Sequence, residues 1–190
     1  MFGWICRLLF KIWGWRIEGN IPHHLPKKLY VVLPHTSNWD FPAGLLLKFG
    51  YKMDVGFIAK STLFKWPFGW FFRALGGIPV DRSRALGFID TVVKVINARE
   101  KFSTAIAPEG TRGNVKKLKT GFYHIARLAK IPLVYVKFDW GNKVIDFTEP
   151  REVKDSIEEE LDFIEEHFKN TVGRNPKNSY GYPFNAEKTT

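Results

Sequence analysis

The sequence predicts a single α/β domain with a mostly parallel sheet flanked by helices and an amphipathic helix at the N-terminus. Apolar runs of strand length alternate with segments whose apolar residues recur at helical spacing. The 190 residues suit one domain with a sizeable core, and we find no internal repeat or linker. Cys6 is the only cysteine, which excludes an intrachain disulfide and fits a reducing compartment.

The first helix is predicted over about the first fifteen residues, which include Trp4, Trp13 and Trp15. Such a helix is roughly 22 Å long, short of the roughly 30 Å hydrocarbon core of a bilayer. No small-residue cleavage site follows it, so we expect no signal peptide. It is either a core helix or an interfacial helix in the membrane plane. The tryptophans and a stripe containing Arg7 and Lys11 favour the second, and we assign residues 1–17 to a membrane-anchoring helix.

Strands and helices alternate through the rest of the chain. Strands are predicted at 29–33, 55–59, 77–80, 103–107, 133–138 and 143–147, the last two joined by the Gly141-Asn142 turn. Amphipathic helices are predicted at 85–99, 122–129 and 157–168. The domain is therefore assigned to residues 18–170. Residues 171–190 are rich in Asn, Gly and Pro and are predicted to form a polar surface tail.

A second aromatic-rich segment covers residues 64–73, where Pro, Gly and flanking cations interrupt the aromatic side chains. This composition suits a membrane-contacting lip or one wall of a lipid groove, because exposed apolar patches mark interaction sites. A short helix packed under the sheet is the alternative interpretation.

The formal net charge is +10 and the pI is about 9.7, which favours anionic partners. Phosphate-bearing ligands, an anionic membrane surface and nucleic acid all qualify. The aromatic residues lie in apolar segments and are not interleaved with the basic ones, as a base-stacking surface would require. We therefore expect no nucleic-acid partner.

His35 and Asp40 follow the first predicted strand of the sheet. Five positions along a regular helix rotate by about 140°, so the two side chains can meet only if a turn intervenes. Ser37 or Asn38 could form that turn by capping a helix that begins near Trp39. A histidine oriented by a carboxylate can remove a proton from an alcohol. The pair predicts a transferase or hydrolase that activates a hydroxyl.

Two further polar loops follow predicted strands and should reach the same sheet edge. In one, Arg82 can supply a guanidinium fork for phosphate. The other offers backbone N–H groups, a hydroxyl and a guanidinium, from Gly110, Thr111 and Arg112. Lys60, at the end of its own strand, is a further candidate phosphate contact. No His/Cys cluster has the spacing of a metal site, so we expect no metal.

Four segments in order resemble the glycerolipid acyltransferase family, best known for the lysophosphatidic acid acyltransferases (1-acylglycerol-3-phosphate O-acyltransferases). The first is His35-Thr36-Ser37-Asn38-Trp39-Asp40, which fits the family pattern His-x4-Asp. The others lie at 76–82, 108–112 and 131–134. The resemblance covers about residues 30–137.

The resemblance implies that His35 is the general base and that Asp40 holds its ring in the productive tautomer. The acceptor hydroxyl would then attack the thioester of acyl-CoA or acyl carrier protein directly, without an acyl-enzyme and without a cofactor. Family precedent places the acceptor beside Arg82, Glu109, Gly110, Thr111 and Arg112.

The expected acceptor is a lysophospholipid, first 1-acylglycerol-3-phosphate, at the cytoplasmic face of the membrane. The expected process is phospholipid synthesis by a peripheral or monotopic enzyme. Pro34 and Ala107 stand where the family more often has Asn and Phe, so a lyso-aminolipid such as an ornithine or glycine lipid is the second expectation. A non-catalytic peripheral membrane-binding protein is the alternative from another class.

Overall fold

The computed structural model describes residues 2–80 and 85–181, apart from the side chains of residues 85 and 86. Within this part of the chain, seven strands form one sheet in the order β1-β7-β6-β2-β5-β3-β4. The strands are β1 (Arg16–Gly19), β2 (Lys27–Leu33), β3 (Gly56–Lys60), β4 (Gly77–Val80), β5 (Phe102–Ile106), β6 (Leu133–Asp139) and β7 (Val144–Phe147).

All strand pairs in this sheet are parallel except β6 and β7, so the predicted mostly parallel sheet is confirmed. Every predicted strand is present with small shifts at its ends, and β7 runs back beside β6 as expected. The sequence did not predict β1. Its four residues, Arg-Ile-Glu-Gly, contain one apolar side chain and lie at the sheet edge, so they carry no alternating pattern.

Six α-helices cover the two faces of the sheet or lie at its margin in the described residues. They are α1 (Phe2–Ile12), α2 (Asp40–Gly50), α3 (Gly69–Ala74), α4 (Ala85–Asn97), α5 (Gly121–Ala129) and α6 (Ile157–His167), with 3₁₀ turns at Ser61–Phe64 and Pro176–Asn178. Successive side chains of β2 point to opposite faces of the sheet and therefore pack into two separate cores. Leu29 and Val31 pack with α4, α5 and α6, and Tyr30 packs with α1 and α2.

Helix α1 packs against α2 through its Gly3 and Arg7 side. A Cβ on Gly3 would lie 2.9 Å from the carbonyl oxygen of Phe49, and the Arg7 Nε donates to the Gly50 carbonyl. Cys6 and Phe10 are buried. The opposite side is apolar and exposed, comprising Phe2, Trp4, Ile5, Leu8, Leu9 and Ile12. In the part of the chain described, no helix combines the length and the apolar character needed to cross a bilayer.

The aromatic segment at 64–73 is divided between core and surface. Phe64 is buried, and its ring meets that of Phe72 at a centroid separation of 6.2 Å. Four other aromatic side chains are exposed, namely Trp66, Phe68, Trp70 and Phe71. The segment therefore has features of both interpretations, a packed helix and an exposed lip.

The chain after α6 remains packed against the domain for most of the fourteen residues before the described part ends. Thr171 and Ser179 are buried. Val172 accepts a hydrogen bond from the backbone N–H of Trp140 at 2.8 Å, and the Gly173 N–H donates to Ser179 Oγ at 3.0 Å. Residues 171–181 thus lie against the domain, although their composition predicts a surface tail; residues 182–190 lie outside the described residues.

Candidate active site

The candidate site lies at the sheet edge where the parallel strands end. Because β2, β3, β4, β5 and β6 run in one direction, their carboxyl ends meet at this edge. The loop after β2 carries His35, and the loop after β5 carries Glu109. β3 ends at Lys60, and Trp140 directly follows β6.

The turn that His35 and Asp40 require is present. His35 Nδ1 lies 2.9 Å from Asp40 Oδ2. The same oxygen accepts the backbone N–H groups of Thr36 and Ser37 at 3.1 and 3.0 Å, which folds the loop around the carboxylate. Ser37 Oγ accepts from the Trp39 N–H at 3.2 Å, and α2 begins at the next residue.

The two members of this pair differ in exposure. Asp40 is 8% exposed, and the His35 side chain is 27% exposed. With Nδ1–H donating a hydrogen bond to the carboxylate, the imidazole has its lone pair on Nε2. A half-buried ring in this tautomer can take a proton from a hydroxyl at Nε2.

The second oxygen of Asp40 has a partner that the sequence did not reveal. The indole Nε1 of Trp140 donates to Asp40 Oδ1 at 2.7 Å. The two residues are far apart in the chain but follow β6 and β2, which are parallel neighbours in the sheet. The pairing of these strands would have placed Trp140 at the right edge, but nothing in the local sequence selects it.

Glu109 is buried and holds the His35 loop through a hydrogen bond to its backbone. It is 1% exposed, and its Oε2 accepts the backbone N–H of His35 at 2.6 Å. Burial raises the pKa of Glu109 to about 7, and the charge of Asp40 acts in the same direction, whereas the amides of His35 and Tyr180 oppose the rise. Glu109 therefore holds the backbone of the candidate base. Its contact with an acceptor stays a prediction.

Four other candidate residues lie at exposed positions. Gly110, with φ +66°, turns the loop after β5, and Thr111 Oγ1 accepts the Gly113 N–H at 3.3 Å. Arg112 is exposed in the same loop, and Lys60 is exposed at the end of β3. Their convergence on a phosphate stays a prediction, and Arg82 lies outside the described residues.

The C-terminal segment joins two of these loops. Asn175 donates to Thr36 twice, from its backbone N–H to Oγ1 at 3.1 Å and from Nδ2 to the carbonyl at 2.8 Å. Asn178 Nδ2 donates to the Arg112 carbonyl at 2.9 Å. The segment thus connects the His35 loop to the loop after β5, a role that its polar composition did not predict.

Among the described residues, no group of three or more His, Cys, Asp or Glu side chains is arranged to hold a metal ion.

A family model described as acyltransferase matches residues 16–138. The chain belongs to the acyltransferase family. The 1-acyl-sn-glycerol-3-phosphate acyltransferase of Streptococcus pneumoniae (strain ATCC BAA-255 / R6) is 29% identical over 147 residues, which are 73% of this chain and 54% of that protein. The protein of the same name from Saccharomyces cerevisiae (strain ATCC 204508 / S288c) is 35% identical over 123 residues, 60% of this chain and 39% of the relative.

The chain thus spans about half the length, or less, of these two relatives. The crystal structure of the 1-acyl-sn-glycerophosphate (LPA) acyltransferase PlsC from Thermotoga maritima has a TM-score of 0.61 and 24% sequence identity, with 87% of this chain and 74% of that chain covered. At 24% identity, this similarity shows a shared fold only. In this acyltransferase-family chain the matched segment contains His35, Asp40 and Glu109, but it ends before Trp140 and Asn175.

The raised pKa of Glu109 predicts a pH-dependent stability that Glu109→Gln removes. The folded pKa of about 7 exceeds the ordinary 4.5, so the stability from the neutral carboxyl is complete below pH 4.5 and is lost as the pH rises through 7. Between pH 5 and 8, the unfolding free energy of the wild type should fall by about 3 kcal/mol relative to that of the variant. Urea unfolding at both pH values measures this difference.

The exposed Glu159 on α6 provides the control, because Glu159→Gln should keep the wild-type dependence on pH. Parallel wild-type and Glu109→Gln curves between pH 5 and 8 would contradict the prediction.

Proposed function

We propose that this protein is an O-acyltransferase of phospholipid synthesis. It moves a fatty acyl group from acyl-CoA or acyl carrier protein to the hydroxyl of a lysophospholipid, 1-acylglycerol-3-phosphate first. The hydrogen bond between His35 Nδ1 and Asp40 Oδ2, at the strand ends of an acyltransferase-family fold, carries this proposal. The names of the two curated relatives support the choice of acceptor.

In the proposed reaction, His35 Nε2 takes the proton of the acceptor hydroxyl as its oxygen attacks the thioester carbonyl. The tetrahedral intermediate collapses with cleavage of the C–S bond, and the imidazolium returns its proton to the leaving thiolate. Asp40 stabilises the positive charge that the ring carries between these steps. Cys6, the only cysteine, is buried on α1, which supports direct transfer without a cysteine acyl-enzyme.

Cationic groups near the strand ends support a phosphate-bearing substrate. Arg112 lies in the loop after β5, and the Nζ of Lys119 would be 2.7 Å from a Cβ on Gly110 in that loop. Lys60 ends β3, which is one strand further from His35 along the sheet. Arginine forks and lysine ammonium groups both bind phosphate oxygens. These groups would act on the acceptor headgroup or on the phosphates of the donor.

His35→Ala should abolish the proposed transfer. Loss of a general base lowers the rate by roughly 10²- to 10⁴-fold. The measurement uses the purified protein with labelled acyl-CoA and acyl carrier protein against a panel of lysolipids. His124, exposed on α5, gives the matched control, and His124→Ala should retain full activity. Equal turnover by His35→Ala and the wild type would end the mechanism. Membrane binding without turnover in any wild-type assay would favour the non-catalytic alternative.

The acceptor class is tested with Arg82→Ala and Arg112→Ala. For a phosphate-bearing lysolipid, loss of a charge-assisted contact should raise KM by about tenfold or more. For a lyso-aminolipid without phosphate, the same substitutions should leave the KM for the acceptor unchanged. Turnover of lyso-ornithine or lyso-glycine lipid, with no use of 1-acylglycerol-3-phosphate, would identify the second acceptor class.

Peripheral binding at the cytoplasmic face of the membrane is the proposed location. The apolar exposed side of α1 and the exposed aromatics at 66–71 support contact with lipid, and the net charge of +10 supports an anionic surface. The free Cys6 fits the reducing compartment on that side.

Trp4→Glu combined with Ile12→Glu should weaken binding to anionic vesicles by at least about tenfold, because two large apolar side chains no longer enter the interface. Vesicle pelleting measures the effect. Leu128→Glu removes an exposed leucine from α5, on the opposite face of the sheet, and should not change binding. Deletion of residues 1–17 is a poorer test because it would also remove Phe10 and Trp15, which belong to the core. Undiminished binding of the double variant would exclude α1 as the anchor.

A further inference from the structure

We propose that Trp140 is a positioning residue for the His35–Asp40 pair, a role that rests on the proposed function. The indole Nε1 donates to Asp40 Oδ1 at 2.7 Å, within a buried contact. Trp140 lies beyond the segment that matches the acyltransferase family. The hydrogen bond fixes which carboxylate oxygen faces the imidazole.

The two oxygens of Asp40 have different partners. Oδ2 accepts from Thr36 N, Ser37 N and the His35 ring, all within its own loop. Oδ1 accepts from Trp140 alone among the described residues. A carboxylate bonded on one oxygen can rotate about its Cβ–Cγ bond, whereas donors on both oxygens hold its plane. The plane of the carboxylate sets the direction of the bond to His35, and therefore the orientation and tautomer of the base.

The indole is itself held from several sides. The backbone N–H of Trp140 donates to the Val172 carbonyl at 2.8 Å. The Trp140 ring meets the Trp15 ring edge to face, with 4.8 Å between the two ring centroids. The Lys143 ammonium lies 4.4 Å from the ring centroid, and the Arg174 guanidinium lies 4.9 Å from it. Cation–π contacts of this kind orient aromatic rings. The N–H group is consequently aimed at Asp40 by contacts from the β6–β7 turn and the C-terminal segment.

Packing alone does not account for the Trp140 hydrogen bond. Trp15 belongs to the same aromatic cluster and is as deeply buried, yet its Nε1 has no hydrogen-bond partner in the described part of the chain. The cluster therefore tolerates an indole N–H without a partner. The contrast between Trp15 and Trp140 separates a ring that fills space from one that also orients the catalytic pair.

The two indoles supply a matched experiment, Trp140→Phe against Trp15→Phe. Each variant keeps a buried aromatic ring and loses one N–H. We expect Trp140→Phe to lower kcat by about tenfold or more with KM within about twofold of wild type, because a charge-assisted hydrogen bond is lost at the catalytic pair and not at the substrate. Trp15→Phe keeps an aromatic ring beside Trp140 and loses no hydrogen bond, so it should keep the wild-type kcat.

The pH–rate profile provides a readout that loss of packing would not move. A carboxylate with one donor fewer makes the His35–Asp40 pair easier to protonate, so the acid limb of the Trp140→Phe profile should shift to higher pH. The other charged groups near the pair and the indole are Glu109, Arg174 and Lys143, and both variants retain them. Trp15→Phe should retain the wild-type limb.

A measurement independent of activity uses ¹⁵N-labelled tryptophan and histidine. In the wild type, the Trp140 indole resonance should move upfield on Asp40→Asn, which tests the hydrogen bond without altering Trp140. The ring nitrogens of His35 should report the Nδ1–H tautomer in the wild type and a mixture of tautomers in Trp140→Phe. If no wild-type acyl transfer is found, the proposed function fails, and the tautomer result still decides the role of Trp140.

The proposal would be overturned if Trp140→Phe kept the wild-type kcat and the wild-type acid limb of the pH–rate profile, and if the ¹⁵N signals of His35 were unchanged. So would equal losses in Trp140→Phe and Trp15→Phe, because they would assign the effect to packing of the aromatic cluster.

Discussion

The carboxylate of Asp40 receives two backbone amides, an imidazole and an indole, and the candidate site is organised around these four contacts. The amides close the loop after β2, so the same group that orients His35 also shapes the backbone that carries it. Burial strengthens each of these hydrogen bonds and makes an unpaired carboxylate oxygen costly at this position. The conformation of the loop and the orientation of the candidate base are thus set by one group.

The strands and the His35 turn could be predicted because their signals are local. Apolar runs marked six of the seven strands, and the rotation of a helix required the turn before Asp40. The contribution of Trp140 and the burial of Glu109 could not be predicted, because they depend on which strands are neighbours. β1 was missed since an edge strand of four residues has too few buried positions to show a period. The sequence therefore indicated residues of the candidate site but not the contacts that Trp140 and Glu109 make there.

The N-terminal segment illustrates a different limit of sequence patterns. Its composition suited an interfacial helix or a core helix, and in the fold the segment has both buried and exposed apolar side chains. Phe10 and Trp15 enter the core, whereas Trp4 lies on an exposed apolar side. Arg7, part of the cationic stripe, hydrogen-bonds to the end of α2. A pattern that describes one side of a helix cannot say which side meets the protein.

The hydrogen bonds from residues 175–178 to the two site loops affect when the site forms during synthesis. Thr36, early in the chain, is hydrogen-bonded to Asn175, which is separated from it by 139 positions. A nascent chain emerges from the ribosome in order, so the loop that carries His35 is synthesised long before residues 175–178. Contacts of such separation form late because the intervening chain must be closed first. The site therefore gains these hydrogen bonds only after residues 175–178 have been synthesised.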